Sequence, residues 1–284
     1  MSGTLLVSDP TAEVLAHETL WSWVQRADHA INRFVPTSEI SRLNAKGSLD
    51  NASDDFLMFL QAAQEVSELT NGLCDPTVLP ALLAWGYDRD FEELSDLTPV
   101  VPEASLASAG IASVTVADRR VTSVSGLDFG ASAKAFVADA IAVELESRTG
   151  VLVEIGGDVA VRTMGSEAPW AIGVAPDGPD ERAPRISVAS GGVATSSMTH
   201  RVWSTSKGRA HHIIDPRTGR PATSRWAAIT VAAPSCLYAN ALATAGFLWD
   251  EEAPWHIGQT GWAGRLVGHD GDVVTVGSWP KEDA

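Results

Sequence analysis

Ala210-His211-His212-Ile213-Ile214, running into Asp215-Pro216-Arg217-Thr218-Gly219, is the stretch from which the rest of the chain is read. Its first five residues read as a short strand, because small and β-branched residues run straight into a turn. Pro216 fixes φ and Gly219 is free to take φ > 0, so the chain reverses there. Strand neighbours face opposite ways, which puts His212 on the face of Ile214 and His211 on the other. Upstream, Ala194-Thr195-Ser196-Ser197 adds a run of hydroxyls. Hydroxyls, a histidine at a strand end and a carboxylate in the adjoining turn make an acid–base and anion-handling cluster. The same residues also describe a well-capped hairpin on which the histidines merely sit, and this stretch alone does not choose between the two.

Strand pairs recur on either side of it. Residues 4–8 read as a strand, and Asp9-Pro10-Thr11 opens a helix to about Arg33 with Val14, Leu20, Trp21, Val24 and Ile31 at helical spacing. Residues 34–44 read as a polar loop or short helix. Ser53-Asp54-Asp55 starts a helix that Asn71-Gly72 stops, with Phe56, Phe59, Leu60, Ala63, Val66 and Leu69 on its core face. Hairpins follow over 113–124, around Asp118-Arg119-Arg120, and over 152–162, around Gly156-Gly157-Asp158. Two strands at 170–175 and 185–189 flank an acidic, proline-rich loop, and 88–109 is a second acidic, proline-bearing excursion. A strand at 227–233 leads into a helix from Pro234 to Trp249, and 265–276 is a last hairpin turning at His269-Asp270-Gly271-Asp272. No repeat or linker divides the chain. The expectation is an α+β fold with antiparallel-rich sheets and packed helices, one domain over 1–284.

The composition narrows function. A net charge of −16 without any basic run argues against nucleic acid, since phosphate binding there needs clustered Lys and Arg. An anionic cofactor must instead be held by local groups: a metal, one lysine, backbone N–H. With 45% apolar residues in 284, a sizeable core is available. Cys74 and Cys236 match no zinc spacing and read as buried thiols. The ten tryptophans are scattered, and about four in five are expected in the core or at its rim. No apolar run approaches a membrane span and no signal peptide is seen at the start, so the expected location is cytoplasmic.

Two further stretches carry chemistry. Asp128-Phe129-Gly130-Ala131-Ser132-Ala133-Lys134 leads into a helix, whose N-terminus offers unpaired N–H groups and partial positive charge to a pyrophosphate, with Lys134 within reach as a point charge. Asp128 is placed to accept a hydrogen bond from a base or ribose, or to cap the helix. In Ala239-Asn240-Ala241-Leu242-Ala243-Thr244-Ala245, Asn240 and Thr244 are four apart and share a helical face.

With Ser38-Glu39-Ile40-Ser41-Arg42-Leu43-Asn44, Asp75-Pro76-Thr77 and Ile155-Gly156-Gly157-Asp158 in the same order, nearly the whole chain resembles the FAD:protein FMN transferase family, the ApbE family. The resemblance implies an ApbE-like, T-fold-related domain. It implies FAD as substrate, magnesium as cofactor, and an acceptor protein whose threonine hydroxyl takes FMN through a phosphoester while AMP leaves. It places Phe34, Leu73, Cys74, Asp75, Asp128, Lys134 and Ile214 about the FAD. It implies magnesium held by the backbone carbonyl of Ala131 and by Asn240 and Thr244, oxygen ligands that suit a hard cation. His212 positions or deprotonates the incoming hydroxyl, Asp215 orients it or holds the turn, and Thr195, Ser196 and Ser197 line the acceptor side. Many relatives carry aspartate where this chain has Asn240 and some another where it has Ala243, which keeps open an FAD carrier without transfer. The second rival is a magnesium-dependent FAD pyrophosphatase giving FMN and AMP, with water replacing the threonine.

Overall fold

Among the residues that the computed structural model describes, 3–94, 106–175 and 183–280, seven strands form the principal sheet. In spatial order they are Gly3–Val7, Val151–Ile155, Asp158–Arg162, Ser190–Ser197, Trp226–Ala233, Ala263–Gly268 and Val273–Val276, every neighbour antiparallel. The fold is α+β. The chain gathers into two units, both discontinuous in sequence: Met1–Gln25 with Lys134–Ser197 and Ser224–Ala284, and Arg26–Ala133 with Met198–Thr223.

The first unit holds the sheet. The hairpin of Val151–Ile155 and Asp158–Arg162 reverses at Gly156 and Gly157, with φ of 59° and 93°, a pair of left-handed residues that matches the strand twist. Val153, Ala160, Ala194, Ile229 and Val231 are buried in the sheet. Leu152, Val159, Val161 and Val193 pack with Ile172 and Ile186 of the small Trp170–Gly173/Arg185–Val188 hairpin. The helix Cys236–Trp249 lies against Ser190–Ser197 and Trp226–Ala233. Gly192 permits this close approach, since a Cβ there would lie 2.1 Å from the Cys236 backbone nitrogen. Ser235 caps the helix, and the Asp139 carboxylate of the helix Ala133–Leu145 accepts the Cys236 and Leu237 N–H groups at 2.9 and 2.8 Å. Burial raises the Asp139 pKa against those two bonds. Both cysteines are buried, and burial pushes the Cys236 thiol well up.

The second unit is built of capped helices and short sheets. Ser53 caps Asp54–Leu69, which buries Phe56, Phe59, Leu60, Ala63 and Val66 and ends with Asn71 and Gly72 at positive φ. Ser38 caps Glu39–Lys46. The hairpin Val114–Ala117/Arg120–Ser123 turns through Asp118 and Arg119, both at positive φ. Of the ten tryptophans only Trp21 and Trp255 are exposed.

Two expectations need correction. The helix Glu13–Ile31 does not bury the stripe chosen for it: Val14 and Trp21 are 71% and 52% exposed, while Ala16, Thr19, Trp23 and Ala30 are buried. Small residues allow close packing there, and Trp23 is drawn in by edge-on contact with Phe136 and an indole bond to Glu144. The strand expected over 210–214 is broken after His211. Residues 95–105 and 176–182, parts of the two acidic excursions, lie outside the described residues. No described helix is long and apolar enough to cross a membrane.

Candidate functional site

In the first unit three expected or quoted residues meet in one hydrogen-bonded chain, Asp158 and Asn240 buried and Lys134 half-buried. Lys134 stands in the first turn of Ala133–Leu145, Asp158 opens the strand Asp158–Arg162, and Asn240 lies in the second turn of Cys236–Trp249. Lys134 Nζ donates to Asp158 Oδ2 at 2.8 Å and to the Gly156 carbonyl at 3.3 Å. Asn240 Nδ2 donates to Asp158 Oδ1, also at 2.8 Å. A carboxylate only accepts, so this contact fixes which end of the amide is nitrogen. Asn240 Oδ1 is thereby turned the other way, where it is buried with no hydrogen-bond partner among the described residues. Leaving such an oxygen unmet costs about 1–3 kcal/mol, which a ligand would recover. One turn on, Thr244 Oγ1 meets Ser196 Oγ at 3.0 Å. Its strand neighbours face elsewhere: Thr195 pairs with the Thr230 hydroxyl at 2.9 Å and Ser197 donates to the Ala227 carbonyl.

Among the described residues no three His, Cys, Asp or Glu side chains gather as a metal centre. The donors that fit a cation here are neutral oxygens, Asn240 Oδ1 above all, with Thr244 Oγ1 on the same helical face. That set suits a hard cation that takes its remaining ligands from water and phosphate.

In the second unit Asp128 lies against Arg33. Arg33 Nε donates to Asp128 Oδ2 at 2.5 Å, and Asp128 Oδ1 accepts the Gly130 N–H at 2.8 Å. The guanidinium sits 4.1 Å from the centre of the half-exposed Phe34 ring and 4.7 Å from that of Tyr87. Arg33 Nη2 is buried with no hydrogen-bond partner among the described residues. A cation, two aromatic faces, a carboxylate and an unmet donor offer stacking and hydrogen bonds to a ring system. Ala131 is exposed in the turn before the helix, where Ser132 and Ala133 both donate to the Phe129 carbonyl.

Leu73, Cys74 and Asp75 are brought beside this turn through the chain rather than through their polar atoms. All three are buried, Asp75 accepts from Thr77 N–H, Thr77 hydroxyl and Ile111 N–H, and the Asp128 N–H donates to the Pro76 carbonyl. Asn44 joins the same turn by a two-way bond with Leu127. Ile214 packs in a core cluster with Ala81 and Leu82.

The histidine pair departs from its expected geometry. The strand is Gly208–His211, paired with Val202–Thr205, and ends at His211; Ile214–Asp215 pairs separately with Arg220–Pro221. The partner strand begins just after Arg201, whose φ of 50° breaks the ladder. His211 Nδ1 also takes the Ile213 N–H at 3.3 Å, so that amide is not offered to a strand. Alternation across 212–214 therefore does not apply. The two histidines still differ. His211 is buried with both ring nitrogens engaged, Nε2 donating to the Ala222 carbonyl at 3.0 Å, and burial lowers its pKa below the ordinary 6.5. His212 is half-buried in the bend that follows. Asp215 holds the turn: its backbone carbonyl accepts from Thr218 and Gly219, and its carboxylate from Arg217.

Sequence reasoning missed Arg33 and gave Asp158 no role. The only signal for Arg33 was a guanidinium next to an aromatic residue at a helix end. For Asp158 it was a carboxylate directly after a glycine pair.

Residues 3–281 match the ApbE family. FAD:protein FMN transferases are among the relatives. That of Vibrio cholerae is 30% identical over 251 residues, 83% of this chain and 75% of the relative. That of Treponema pallidum is 30% identical over 267 residues, 84% and 73% respectively. The fold is similar to the ApbE protein of Thermotoga maritima, with a TM-score of 0.82 and 27% identity over 96% of this chain and 93% of that one. It also resembles in fold the flavinyl transferase ApbE of Pseudomonas stutzeri, TM-score 0.77 and 21% identity over 97% and 94%.

Proposed function

The chain belongs to the ApbE family, and from that premise we propose that it is an FAD:protein FMN transferase. It moves FMN from FAD to a threonine hydroxyl of an acceptor flavoprotein, with magnesium present and AMP leaving. The observation that carries the reading is the hydrogen-bonded Lys134–Asp158–Asn240 chain with its unmet amide oxygen on the helical face that also carries Thr244, which suits a pyrophosphate and a hard cation. We take 1–284 as one transferase domain, because neither unit is continuous in sequence.

The roles follow from what each group can do. Asn240, Thr244 and the Ala131 carbonyl are the cation ligands. Magnesium, when bound, supplies charge neutralisation to the pyrophosphate. Lys134 has three donors, of which two are committed to Asp158 and the Gly156 carbonyl, and the remaining one serves a phosphate oxygen. Phe34 stacks on the flavin. Asp128 takes a hydrogen bond from the adenosine half, while Leu73, Cys74, Asp75 and Ile214 form the wall that shapes the pocket. His212 removes the proton as the threonine oxygen bonds to the FMN-side phosphorus; the pyrophosphate P–O bond breaks and AMP departs with the electron pair.

The test is an incubation with FAD, magnesium and a threonine-bearing acceptor protein, followed by denaturing electrophoresis. Fluorescence running with the acceptor, and lost when its threonine is alanine or magnesium is chelated, is the expected result. Free FMN with a dark acceptor means a pyrophosphatase, and unchanged FAD means a carrier.

A further inference from the structure

We propose that Asp158 is a positioning residue for the cation: it holds the Asn240 amide in the one orientation that presents oxygen, and it supplies nearby the negative charge that a neutral amide lacks. The proposal rests on the reading of Asn240 as a cation ligand in FMN transfer.

An amide has two ends of similar shape and opposite use. With oxygen forward Asn240 can bind a cation, and with nitrogen forward it repels one. The Asn240 side chain itself does not decide between them; its surroundings do. Asp158 is 2% exposed and its carboxylate is a pure acceptor 2.8 Å from Asn240 Nδ2. Turning the amide over would set two oxygens against each other there, out of reach of water. The carboxylate is in turn fixed by Lys134, 2.8 Å from its second oxygen, and Lys134 by the Gly156 carbonyl at the glycine turn. The unmet Asn240 Oδ1 is the product of this arrangement. Groups that orient a ligand in this way usually matter to metal affinity nearly as much as the ligand does.

The same geometry decides what a carboxylate at position 240 would do. Asn240→Asp alone places two carboxylates within hydrogen-bond distance in a buried site, so the added charge is resisted. Asn240→Asp combined with Asp158→Asn restores one donor, one acceptor and one charge, with the two partners exchanged. The exchanged pair therefore holds a cation that Asp158→Asn alone does not.

The experiment is a titration of the full chain with Mn2+, a stand-in for magnesium whose free form is counted by electron paramagnetic resonance, with and without saturating FAD. Asp158→Asn should weaken Mn2+ binding by ~10–100-fold, and the exchanged double variant should recover most of that loss. FAD binding is followed separately by flavin fluorescence. Should Asp158→Asn fail to fold, the exchanged variant against Asn240→Asp alone makes the same comparison, since the proposal requires the exchanged pair to bind Mn2+ more tightly. No Mn2+ bound by the unmodified chain in either arm removes the cation reading and the positioning role with it. Equal Mn2+ affinity in the unmodified chain and the variants, or no recovery on exchange, removes the positioning role alone.

Discussion

His211 and His212 are adjacent in sequence and opposite in circumstance. Both ring nitrogens of His211 are spent on backbone groups, Ala222 and Ile213, whereas His212 stands in the bend beyond the strand. His212→Ala should cut FMN transfer by about 10²–10⁴ while FAD still binds, as stopped-time transfer assays and a flavin titration would read. His211→Ala should instead cost about 1–3 kcal/mol of stability, through two buried backbone groups left unmet. Equal loss of transfer in both, at equal stability, would contradict the assignment. The burial that lowers the His211 pKa also makes stability depend on pH. Its proton is held more tightly by the unfolded chain, so stability is full above the ordinary 6.5 and falls as pH drops below it toward the lowered folded value. The urea midpoint should fall between pH 7.5 and 5.5, and fall less in His211→Gln. The sequence separated the two histidines by strand alternation, which the fold does not continue past His211. Strand alternation presumes an unbroken strand, and a positive φ at Arg201, a residue with no evident turn preference, ended the ladder first.

Elements were legible where local chemistry sets them. Ser53 before two aspartates, Asn71-Gly72 after a helix, and the glycine pair at 156–157 each define a terminus or turn by short-range hydrogen bonds and backbone freedom, and each lies where it was expected. Local chemistry does not say which face a helix buries when small residues compete with large ones. In Glu13–Ile31 alanine and threonine face inward, leaving Val14 and Trp21 outside. The same preference for close packing brings the strand Ser190–Ser197 against the helix Cys236–Trp249, and it is what sets Ser196 on Thr244. Gly192 is the point of nearest approach, with the obstructing atoms all backbone. Gly192→Ala should therefore destabilise the chain by at least about 1–3 kcal/mol, measured by denaturant unfolding, and lower its affinity for Mn2+. A stability within error of the unmodified chain would mean that strand and helix can part without cost.

Across the whole molecule the problem is how a chain of net charge −16 holds an anionic dinucleotide. In the proposed reading the charge is met locally, by Lys134, a cation and backbone groups. Phe34 alone would hold FAD and FMN alike. If Asp128 takes a hydrogen bond from the adenosine half as proposed, it makes the difference, since a hydrogen bond to a charged group is worth about 1.5–3 kcal/mol. FAD should bind about tenfold or more tightly than FMN, and equal affinity in a fluorescence titration would remove Asp128 from the adenosine side. The family was legible in the order of the motifs alone. The Arg33 contact and the Asp158 bridge were not, because each joins residues distant in the chain: Arg33 to Asp128 and Asp158 to Asn240. The most direct measurement takes one incubation with FAD, magnesium and acceptor, and quantifies AMP, free FMN and acceptor-bound flavin through time. Transfer predicts AMP and acceptor-bound flavin rising together in equal amounts, with free FMN absent and no AMP formed when the acceptor threonine is alanine. AMP matched by free FMN, whether or not the threonine is present, would contradict it.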